Sequence, residues 1–547
     1  MEEAAVRRAL LHLTSLGDTD IFPSPFEFVF YDECADKITE IVCGLNTGQY
    51  RPKSCVEILS PKRELSFRIA HQLYPSDTLL YTSAVIQIAP SIEEIRLPVE
   101  NGPFSYRFVD KADEPRLYSE SSSFHDWLLR VKAICDEADP FSDVKYVIET
   151  DISDFYARIY FHRIEHIMDD CGAPNSVRKV IEGIIKYSRA RQSYGLPVGT
   201  AASRLLAEGL LNDTDRMIVE RSSGYTRFVD DFRIVVDHQS QVHATLCKLA
   251  EHLMLTEGLS LNSSKTRTYT TEDSVKQIDK KLSDVFNDDE LVSISRYIRQ
   301  VYDDEDISIE EIEDVDPERL VDKLVELIKS DAVDYAAVKV LMKALRAVSI
   351  EDGLKVVDRT TELLYYLPRD YCLFLGSLAQ RAEGIADDLA EKLVSVLEGP
   401  PYSEMTLSRI WVAHLFVSQA LPISRARLER LRLNGSVLER RQKLLLLGLL
   451  GDRSFFREKK TSFDEMSDWE KPALMLGASC LSKGEYTTWL GTIKSRMNDP
   501  FEDIYHSWLV QNQSALFEKL KVQFKVKSKG EMMAEALDDL GDDFPAF

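Results

Sequence analysis

Two kinds of hydrophobic pattern divide the chain into halves. From about Phe26 to Thr271, short runs of β-branched and aromatic residues alternate with helical stretches and turn residues. The clearest runs are Val144–Thr150 and Thr226–Val236. Such runs are typical of strands, and their mixture with helical periodicity predicts an α+β fold for the first half.

The second half, from about Asp288 onward, has amphipathic segments of helical length and hardly a strand pattern. Asp316-Pro317 is typical of a helix start, because proline is favoured at the first helical position. Three apolar stripes have helical spacing: Leu320, Leu324, Leu327 and Ile328; Val338, Leu341, Met342 and Leu345; and Leu389, Leu393, Val396 and Leu397. We predict an α+β domain at 1–285 and an all-helical domain at 286–547, either a HEAT-like stack or an irregular bundle.

An acidic segment separates the two predicted domains. It begins at Asp303-Asp304-Glu305-Asp306 and continues to Asp316. The segment lacks the glycine and the ligand spacing of an EF-hand loop. We therefore predict a solvated linker rather than a calcium site.

The charge balance restricts the possible partners. The 547 residues include 67 Lys+Arg and 91 Asp+Glu, a net charge of −24, with 44% hydrophobic and 29% charged residues. This composition is that of a globular protein. The excess negative charge argues against non-specific coating of nucleic acid or of an anionic membrane, but it leaves a local nucleic-acid site open.

The cysteines and the N-terminus favour a reducing compartment. The eight cysteines are scattered and form no CxxC pair, so neither a zinc knuckle nor a disulfide framework is indicated. The first residues, MEEAAVRRALLHL, carry acid where a signal peptide needs base, and apolar runs such as Leu444–Leu447 are far shorter than a membrane span. We expect a cytoplasmic protein without a membrane partner.

Two strand patterns end in aspartates. Tyr225–Val236 places apolar and β-branched residues on both sides of Asp230-Asp231, which predicts a hairpin with the two carboxylates at its turn. The upstream run Tyr146–Thr150 leads into Asp151. Carboxylate oxygens are the ligands that Mg²⁺ prefers, and two such ions can activate a 3′-hydroxyl and stabilise the leaving oxygen in phosphoryl transfer.

The order of these motifs resembles the palm of reverse transcriptases. Asp151 matches the first metal-binding aspartate of that family, and Phe228-Val229-Asp230-Asp231 matches its catalytic hairpin. The resemblance implies that Phe155, Tyr156, Gly195, Pro197, Val198 and Gly199 bind the nucleotide, with Tyr156 as a steric gate against ribose. It extends Gly195–Gly199 through Ser203 and Glu208, which would pack against template and nucleotide, and makes Lys265 the residue that assists the leaving pyrophosphate.

An upstream segment resembles the fingers of the same family. Pro61–Arg68, followed by Asp77 before an apolar helix, is similar to the pattern PKxxGxxR, with Leu65 in place of the glycine. The resemblance implies that Lys62 and Arg68 bind the triphosphate, whose negative charges need cationic partners when desolvated. It covers about Cys55 to Tyr269.

Two departures indicate a subgroup. Val198 replaces the glutamine that templated reverse transcriptases usually have in LPQG, and no recognisable thumb follows Lys265. Both features are similar to the abortive-infection and defence-associated reverse transcriptases of bacteria. That resemblance implies an oligomeric enzyme of antiviral defence that uses dNTPs and two Mg²⁺ ions, with Mn²⁺ as a substitute. Synthesis would be templated by RNA, by single-stranded DNA or by a bound non-coding RNA, or it would be untemplated or protein-primed.

Alternative interpretations remain open. The palm could be inactive, with the helical half acting as a scaffold that binds a phage or host protein, or the helical half could be a toxin. Arg409 and His414 have the RxxxxH spacing of some toxin RNases, although the segment reads better as a half-buried helix. His162 and His166 fit the HxxEH spacing of zinc peptidases, but no third ligand is apparent and a structural or nucleic-acid-facing role is favoured.

Two basic clusters are candidates for nucleic-acid binding. The first contains Arg178, Lys179, Lys186, Arg189 and Arg191, and the second contains Arg425, Arg427, Arg430, Arg432, Arg440, Arg441 and Lys443. Either could instead be a solvated helix face paired with acids. The first cluster is the better candidate for nucleic acid because it precedes the Gly195 segment.

Overall fold

The computed structural model describes residues 1–524, apart from residues 20, 64–65, 120–121, 137–144, 190–191, 285–316, 330–337, 339–340, 343–344, 346–352, 383, 498 and 523. The side chains of residues 62–63, 125, 280–284 and 317 also lie outside the described part. The predicted boundary near residue 285 and the acidic segment Asp303–Asp316 therefore fall outside the described residues.

A two-stranded hairpin follows the first three helices. Strands β1 (Val56–Arg63) and β2 (Ser66–Gln72) are antiparallel, with Ser60 opposite Arg68. Side chains alternate between the two faces of such a hairpin. Ile58 and Ala70 are buried on one face, whereas Leu59 and Ile69 are exposed on the other. The buried face positions the hairpin against the rest of the protein.

A four-stranded antiparallel sheet forms the centre of the first half, in the order β4, β5, β3, β6. Its strands are β3 (Tyr146–Asp151), β4 (Gly224–Phe228), β5 (Asp231–Val236) and β6 (Arg267–Thr270). Strand β3 lies between β5 and β6 and pairs with both. The central position of β3 explains its apolar run, because Val147 and Ile148 are both fully buried.

Twelve helices are described around the sheet and the hairpin. They are α1 (Glu3–Ser15), α2 (Glu27–Glu33), α3 (Ala35–Gly44), α4 (Pro75–Ile95), α5 (Phe124–Asp136), α6 (Phe155–Arg158), α7 (Phe161–Asp170), α8 (Asn175–Ser188), α9 (Ala201–Leu210), α10 (Asn212–Val219), α11 (Gln239–His252) and α12 (Thr271–Asp284). A π-helical turn, Leu253–Glu257, extends α11. Helix α4 packs against α1, α8 and α9, and most of its side chains are buried. The predicted α+β architecture of this half is confirmed.

Among its described residues, the second half consists of helices joined by turns and loops, without a strand. Its helices are α13 (Pro317–Ile328), α14 (Gly353–Thr360), α15 (Leu363–Tyr366), α16 (Pro368–Arg381), α17 (Ala386–Glu398), α18 (Thr406–Val417), α19 (Arg425–Leu431), α20 (Val437–Leu449), α21 (Arg453–Lys459), α22 (Glu470–Gly477), α23 (Lys483–Ile493), α24 (Pro500–Asn512) and α25 (Leu516–Lys519). Helices α16, α18, α20 and α22 pack in a row, each against the next, and α17 packs against α19. The predicted all-helical character of this half is confirmed for its described residues.

The apolar stripes predicted from the sequence face the core. Every member is buried except Leu327 and Val396, which are partly buried. The buried side chains of both halves form one continuous hydrophobic cluster. Among the described helices, none is long and apolar enough to cross a membrane.

Three tryptophans join the helical half to the N-terminal part of the chain. Trp411 Nε1 donates to the Ile21 carbonyl at 2.8 Å, and Trp469 Nε1 donates to the Ser54 carbonyl at 2.6 Å. Trp508 Nε1 donates to a Glu33 carboxylate oxygen at 2.7 Å. Buried ion pairs reinforce this contact: Arg441 binds Glu27, and Lys53 binds Asp499 at 3.0 Å. The helical half therefore packs on the first helices and the β1–β2 hairpin.

Candidate active site

Three carboxylates meet at one edge of the central sheet. Asp151, the last residue of β3, is the register partner of Asp231, the first residue of β5. Asp230 lies in the two-residue connection between β4 and β5, and its carbonyl accepts a hydrogen bond from Ile152 N–H at 3.1 Å. The hairpin predicted from the sequence is confirmed, and the antiparallel register brings the three predicted aspartates together.

The turn before Asp230 has a strained backbone that two hydrogen bonds stabilise. Val229 has a φ of +53°, a left-handed conformation that is costly for a β-branched residue. Its N–H donates to Ser105 Oγ at 2.7 Å, and its carbonyl accepts from Arg227 Nη1 at 2.7 Å. These two contacts fix the backbone immediately before Asp230.

A buried polar network supports the same turn. Arg227 is fully buried and binds Asp215 Oδ2 at 2.8 Å and Glu208 Oε2 at 3.1 Å. Glu208 also accepts from Ser105 Oγ at 2.5 Å and from Arg96 Nη2 at 2.8 Å. A buried guanidinium is tolerated only when acids satisfy it, as Asp215 and Glu208 do here. Sequence reasoning missed this use of Arg227, although a charged residue inside an apolar strand was the available signal.

The segment carrying Lys265 is attached directly to Asp151. Asn262 N–H donates to the Asp151 carbonyl at 2.8 Å, and Lys265 Nζ lies 2.7 Å from Asp151 Oδ2. Thr266 Oγ1 lies 2.8 Å from Thr150 Oγ1, on the neighbouring part of β3. The predicted lysine therefore belongs to the carboxylate cluster and forms an ion pair with the first aspartate.

A second cation, Arg233, was not predicted. It is buried on β5, forms ion pairs with Asp231 and with Glu149 Oε1 (3.0 Å), and lies over the ring of Trp127 at 5.0 Å. The two acids raise its pKa despite its burial. Charged residues at Glu149 and Arg233, facing each other in otherwise apolar strands, were the signal for this pair.

The negative charges of the three aspartates disfavour one another's ionisation. Burial, followed by the charges of Asp151 and Asp231, raises the pKa of Asp230 to about 7. Clustered carboxylates disfavour one another's ionisation unless cations neutralise them. In the part of the chain that the structure describes, Lys265 and Arg233 bind two of the three carboxylates. The edge of the sheet is therefore a site that attracts positive charge.

The donor set suits a hard divalent cation, because all three side chains supply carboxylate oxygens. Within the described residues, no group of three or more His, Cys, Asp or Glu side chains already converges as a metal-binding group. Asp151 and Asp231 are paired with the protein cations Lys265 and Arg233. Each of these ion pairs uses one oxygen of its aspartate, Asp151 Oδ2 and Asp231 Oδ1.

Phe155 and Tyr156 follow Asp151 at the start of the short helix α6. Phe155 is buried, Tyr156 is half-buried, and their ring centroids are 5.4 Å apart. The Tyr156 carbonyl accepts from Leu196 N–H at 2.8 Å. Tyr156 is thereby tied to the Gly195–Gly199 segment, beside the carboxylate edge.

The Gly195–Gly199 segment is bound on its other side by the β1–β2 hairpin. Val198 N–H donates to His71 Nδ1, and His71 N–H donates to the Val198 carbonyl, both at 3.1 Å. Gly195 and Gly199 have φ angles of +93° and +105°, which only glycine adopts readily. Pro197 is buried and Val198 is half-buried. His71, which sequence reasoning missed, therefore positions the residue that replaces glutamine.

The fingers residues are described only in part. Lys62 lies in β1, but its side chain is outside the described residues, as is Leu65. Arg68 is half-buried on β2 opposite Ser60, and its Nε atom is buried without a hydrogen-bond partner among the described residues. Asp77 is buried at the start of α4 and accepts from Tyr50 O–H at 2.6 Å and Lys53 N–H at 2.8 Å. Asp77 thus braces the start of this helix.

Two residues expected to pack against template and nucleotide are used inside the protein instead. Ser203 is fully buried and binds Thr200 Oγ1 at 2.8 Å, and Glu208 belongs to the Arg227 network. The spacing after Gly195 places both on α9, whose inner face they occupy. That expectation was wrong, because both side chains are buried inside the protein and cannot reach a template or a nucleotide.

The first basic cluster is largely neutralised. Arg178 pairs with Asp169, Lys186 pairs with Glu182 at 3.2 Å, and Arg189 Nη1 lies 3.9 Å from Glu57 Oε1. Lys179 is exposed, and Arg191 lies outside the described residues. The preference for this cluster as a substrate-binding surface is therefore weakened.

The second cluster is likewise paired with acids. Arg425 binds Asp452, Arg427 binds Asp387, Arg430 binds Glu391 and Glu398, Arg440 binds Glu470, and Arg441 binds Glu27. Arg432 ends α19 in a left-handed conformation, and Lys443 donates to Asn434. The arrangement favours the interpretation of a helix face paired with acids.

The two histidine motifs are placed on helices. Arg409 is buried in α18, where it binds Glu439 at 2.6 Å and the carbonyls of Leu431 and Arg432. Arg409 therefore connects α18 to α20 and to the end of α19. This structural role agrees with the interpretation of the segment as a partly buried helix rather than an RNase motif. His162 and His166 are exposed on α7 with ring centroids 5.8 Å apart.

Comparison with known families identifies the class of the first half. Residues 90–281 match the family model of the reverse transcriptase (RNA-dependent DNA polymerase). The match includes the three aspartates, Tyr156, Gly195–Gly199 and Lys265, and begins after the hairpin that carries Lys62 and Arg68. Residues 90–281 therefore form a reverse transcriptase domain. Such domains generally use divalent metals such as Mg²⁺.

Among curated proteins, none matches the chain. Among solved structures, apo telomerase from Candida tropicalis is 11% identical over 70% of this chain and 73% of that chain, with a TM-score of 0.33. Telomerase from C. tropicalis in complex with the TWJ fragment of telomeric RNA is 12% identical over 74% and 67%, with a TM-score of 0.33. The corresponding complex from C. albicans is 11% identical over 79% and 67%, with a TM-score of 0.29.

Proposed function

We propose that this protein synthesises DNA from dNTPs at the carboxylate edge, with Asp151, Asp230 and Asp231 as ligands of two Mg²⁺ ions. The observation that carries the proposal is the register of Asp151 with Asp231 and the position of Asp230 in the adjoining turn. When bound, the ions would activate a 3′-hydroxyl and neutralise charge on the transferred phosphoryl group. Mn²⁺ would substitute for Mg²⁺.

The roles of the surrounding side chains follow from their chemistry. Arg68 has a half-buried guanidinium with an unused Nε donor, which suits a triphosphate oxygen, and Lys62 on β1 would supply a second cation. Lys265 would transfer a proton to the leaving pyrophosphate after leaving Asp151. Tyr156 and Phe155 would line the sugar, and Gly195, Pro197, Val198 and Gly199 would support the base.

Incorporation of labelled dNTPs tests this proposal. The Asp230→Ala/Asp231→Ala protein should lose synthesis, because it lacks two of the three proposed ligands. Asp387→Ala/Asp388→Ala is a matched control, since this adjacent pair is exposed in the first turn of α17, in the helical half. Equal incorporation by the wild type and the Asp230/Asp231 variant would refute the assignment.

A role in antiviral defence of the abortive-infection type is the second part of the proposal. It is supported by the resemblance carried by Val198 and by the helical half that follows the reverse transcriptase domain. Bacteria expressing the wild-type protein should form fewer phage plaques than bacteria expressing Asp230→Ala/Asp231→Ala. Equal plaque counts against a broad phage panel would contradict the defence role.

The template and the oligomeric state form the third part. We propose untemplated or protein-primed synthesis by a homo-oligomer, with templating by a bound non-coding RNA or by single-stranded DNA as the competing outcome. Val198, whose backbone is bound by His71, offers an aliphatic side chain where an amide would check base pairing. Product sequences that match a copurified nucleic acid would refute untemplated synthesis, and a product released by protease would identify a protein primer. Light scattering measures the subunit number.

A further inference from the structure

A cavity of about 890 Å³ lies between the N-terminal segment and the helical half. Phe22 and Phe28 line it from the N-terminal side, and Trp411 and His414 of α18 line it from the other. Its volume falls in the range of about 300–1,000 Å³ that is typical of small-molecule sites. The carboxylate cluster does not line it, so the cavity is distinct from the candidate active site.

Two glutamine side chains that line this cavity have buried oxygen atoms without a hydrogen-bond partner among the described residues. Gln72, at the end of β2, is 2% exposed, and its Oε1 atom has no hydrogen-bond partner. Gln442 of α20 also has a buried Oε1 atom without a partner. His414 is partly exposed in the cavity wall, and its ring contacts that of Trp411 edge-on, with the ring centroids 5.8 Å apart. Burial lowers the pKa of His414 to about 4, so its imidazole is neutral near pH 7.

Buried polar atoms without partners are costly, and their presence around one cavity points to a ligand that satisfies them. Unused amide oxygens need donors, so a ligand that satisfies them supplies N–H or O–H groups. The neutral imidazole offers one further donor and one acceptor. The indole of Trp411 and the phenyl rings favour a planar ligand. Glutamine amides pair well with the edges of nucleobases, which combine donors and acceptors on a flat ring.

We propose that this cavity binds a nucleobase, as a nucleoside or nucleotide, between Trp411 and the amides of Gln72 and Gln442. A chain of contacts connects this site to the reverse transcriptase domain. Trp411 Nε1 holds the Ile21 carbonyl, and the Ile21 and Thr19 side chains lie against Gly199. A ligand in the cavity would therefore influence the position of the Gly195–Gly199 segment, which carries Val198. This regulatory consequence rests on the proposed polymerase function, whereas the binding itself does not.

Equilibrium dialysis with labelled nucleosides tests the binding. The full chain carrying Asp230→Ala/Asp231→Ala is dialysed in EDTA against each of the four ribonucleosides and four deoxynucleosides. Nucleosides lack the phosphates that Lys62 and Arg68 would bind, so the candidate active site contributes little. We expect saturable binding of at least one nucleoside, at one molecule per chain.

Substitution of the cavity amide locates the site. Gln442→Leu should weaken binding about ten-fold, the equivalent of about 1.4 kcal/mol. Gln277→Leu is the matched control, because Gln277 is half-buried on α12 and does not line the cavity. His414→Phe provides a second variant, which should also weaken binding while the urea unfolding midpoint stays unchanged.

Three results would overturn the proposal: no saturable binding of any nucleoside, an unchanged Kd in Gln442→Leu, or equal competition by ribose 5-phosphate, which has no base. Each is independent of DNA synthesis. Nucleoside binding without dNTP incorporation by the wild type would uphold this site and refute the proposed function. Incorporation of dNTPs without nucleoside binding would refute this site and uphold the proposed function.

Discussion

The hydroxyl of Ser105 connects two parts of the candidate active site that lie far apart in the chain. Its Oγ accepts the Val229 N–H at 2.7 Å and donates to Glu208 Oε1 at 2.5 Å, and the residue is fully buried. Ser105→Ala removes both bonds and a single oxygen atom. We predict that this small change destabilises the protein and slows DNA synthesis.

The magnitude follows from the groups left behind. A buried N–H without a partner costs about 1–3 kcal/mol, and the lost bond to a carboxylate about 1.5–3 kcal/mol more. Glu208 keeps Arg96 and Arg227, which limits its part of the loss. We expect a decrease of about 2–4 kcal/mol in the free energy of unfolding. Relaxation of the Val229 turn would move Asp230, and a displacement of about 1 Å can slow catalysis about 100-fold.

Urea unfolding and dNTP incorporation, measured well below the unfolding temperature, test both effects. Ser83→Ala is the matched control, because Ser83 is also fully buried but bonds only the Leu79 carbonyl within its own helix. Its unfolding free energy and rate should stay close to the wild type. If Ser105→Ala behaves like Ser83→Ala in both assays, the turn does not depend on Ser105 and the reasoning fails.

Three further predictions concern the interface, the pH dependence and the sugar site. In urea titrations, Trp469→Phe should lower the free energy of unfolding by about 1 kcal/mol more than Trp489→Phe, because of these two indole N–H groups only that of Trp469 has a partner; equal losses would contradict this. Burial lowers the pKa of His12 from 6.5 to about 4, so the unfolded chain binds a proton in this range that the folded chain does not. Stability should therefore fall as the pH drops from 6.5 to about 4, by up to about 1.4 kcal/mol per unit, and His12→Gln should flatten that slope in urea titrations. Tyr156→Ala should raise ribonucleotide incorporation relative to dNTP incorporation about ten-fold or more, whereas Tyr156→Phe keeps the ring and the wild-type preference; an unchanged ratio in the alanine variant would exclude a steric gate.

Local chemistry made part of the site predictable. The strand before Asp151 and the hairpin around Asp230-Asp231 follow from short-range alternation and turn residues. Helical stripes such as Leu389, Leu393 and Leu397 were likewise read correctly, because the helix period is a local property. The family match over 90–281 agrees with the order of these motifs.

Contacts between residues far apart in the chain were not predicted from the sequence. Ser105 and Val229 are separated by 124 positions, and Trp469 and Ser54 by 415. Nothing in the local pattern distinguishes the acid that neutralises Arg227 from an acid in solvent. For the same reason the sequence left nucleic-acid binding and pairing with acids both open for Arg178 and Arg430, whose acidic partners lie elsewhere in the chain.

The sequence by itself determined the strand before Asp151, the hairpin around Asp230-Asp231 and the apolar stripes of the helical half, since periodicity and turn chemistry act over a few residues. Only the tertiary structure decided how those carboxylates are held. It placed Lys265 and Arg233 on Asp151 and Asp231, and it fixed the strained Val229 turn through Ser105 and Arg227. It also joined the helical half to the N-terminal segment around a cavity. Such contacts depend on burial and charge pairing across the fold, which no linear pattern encodes.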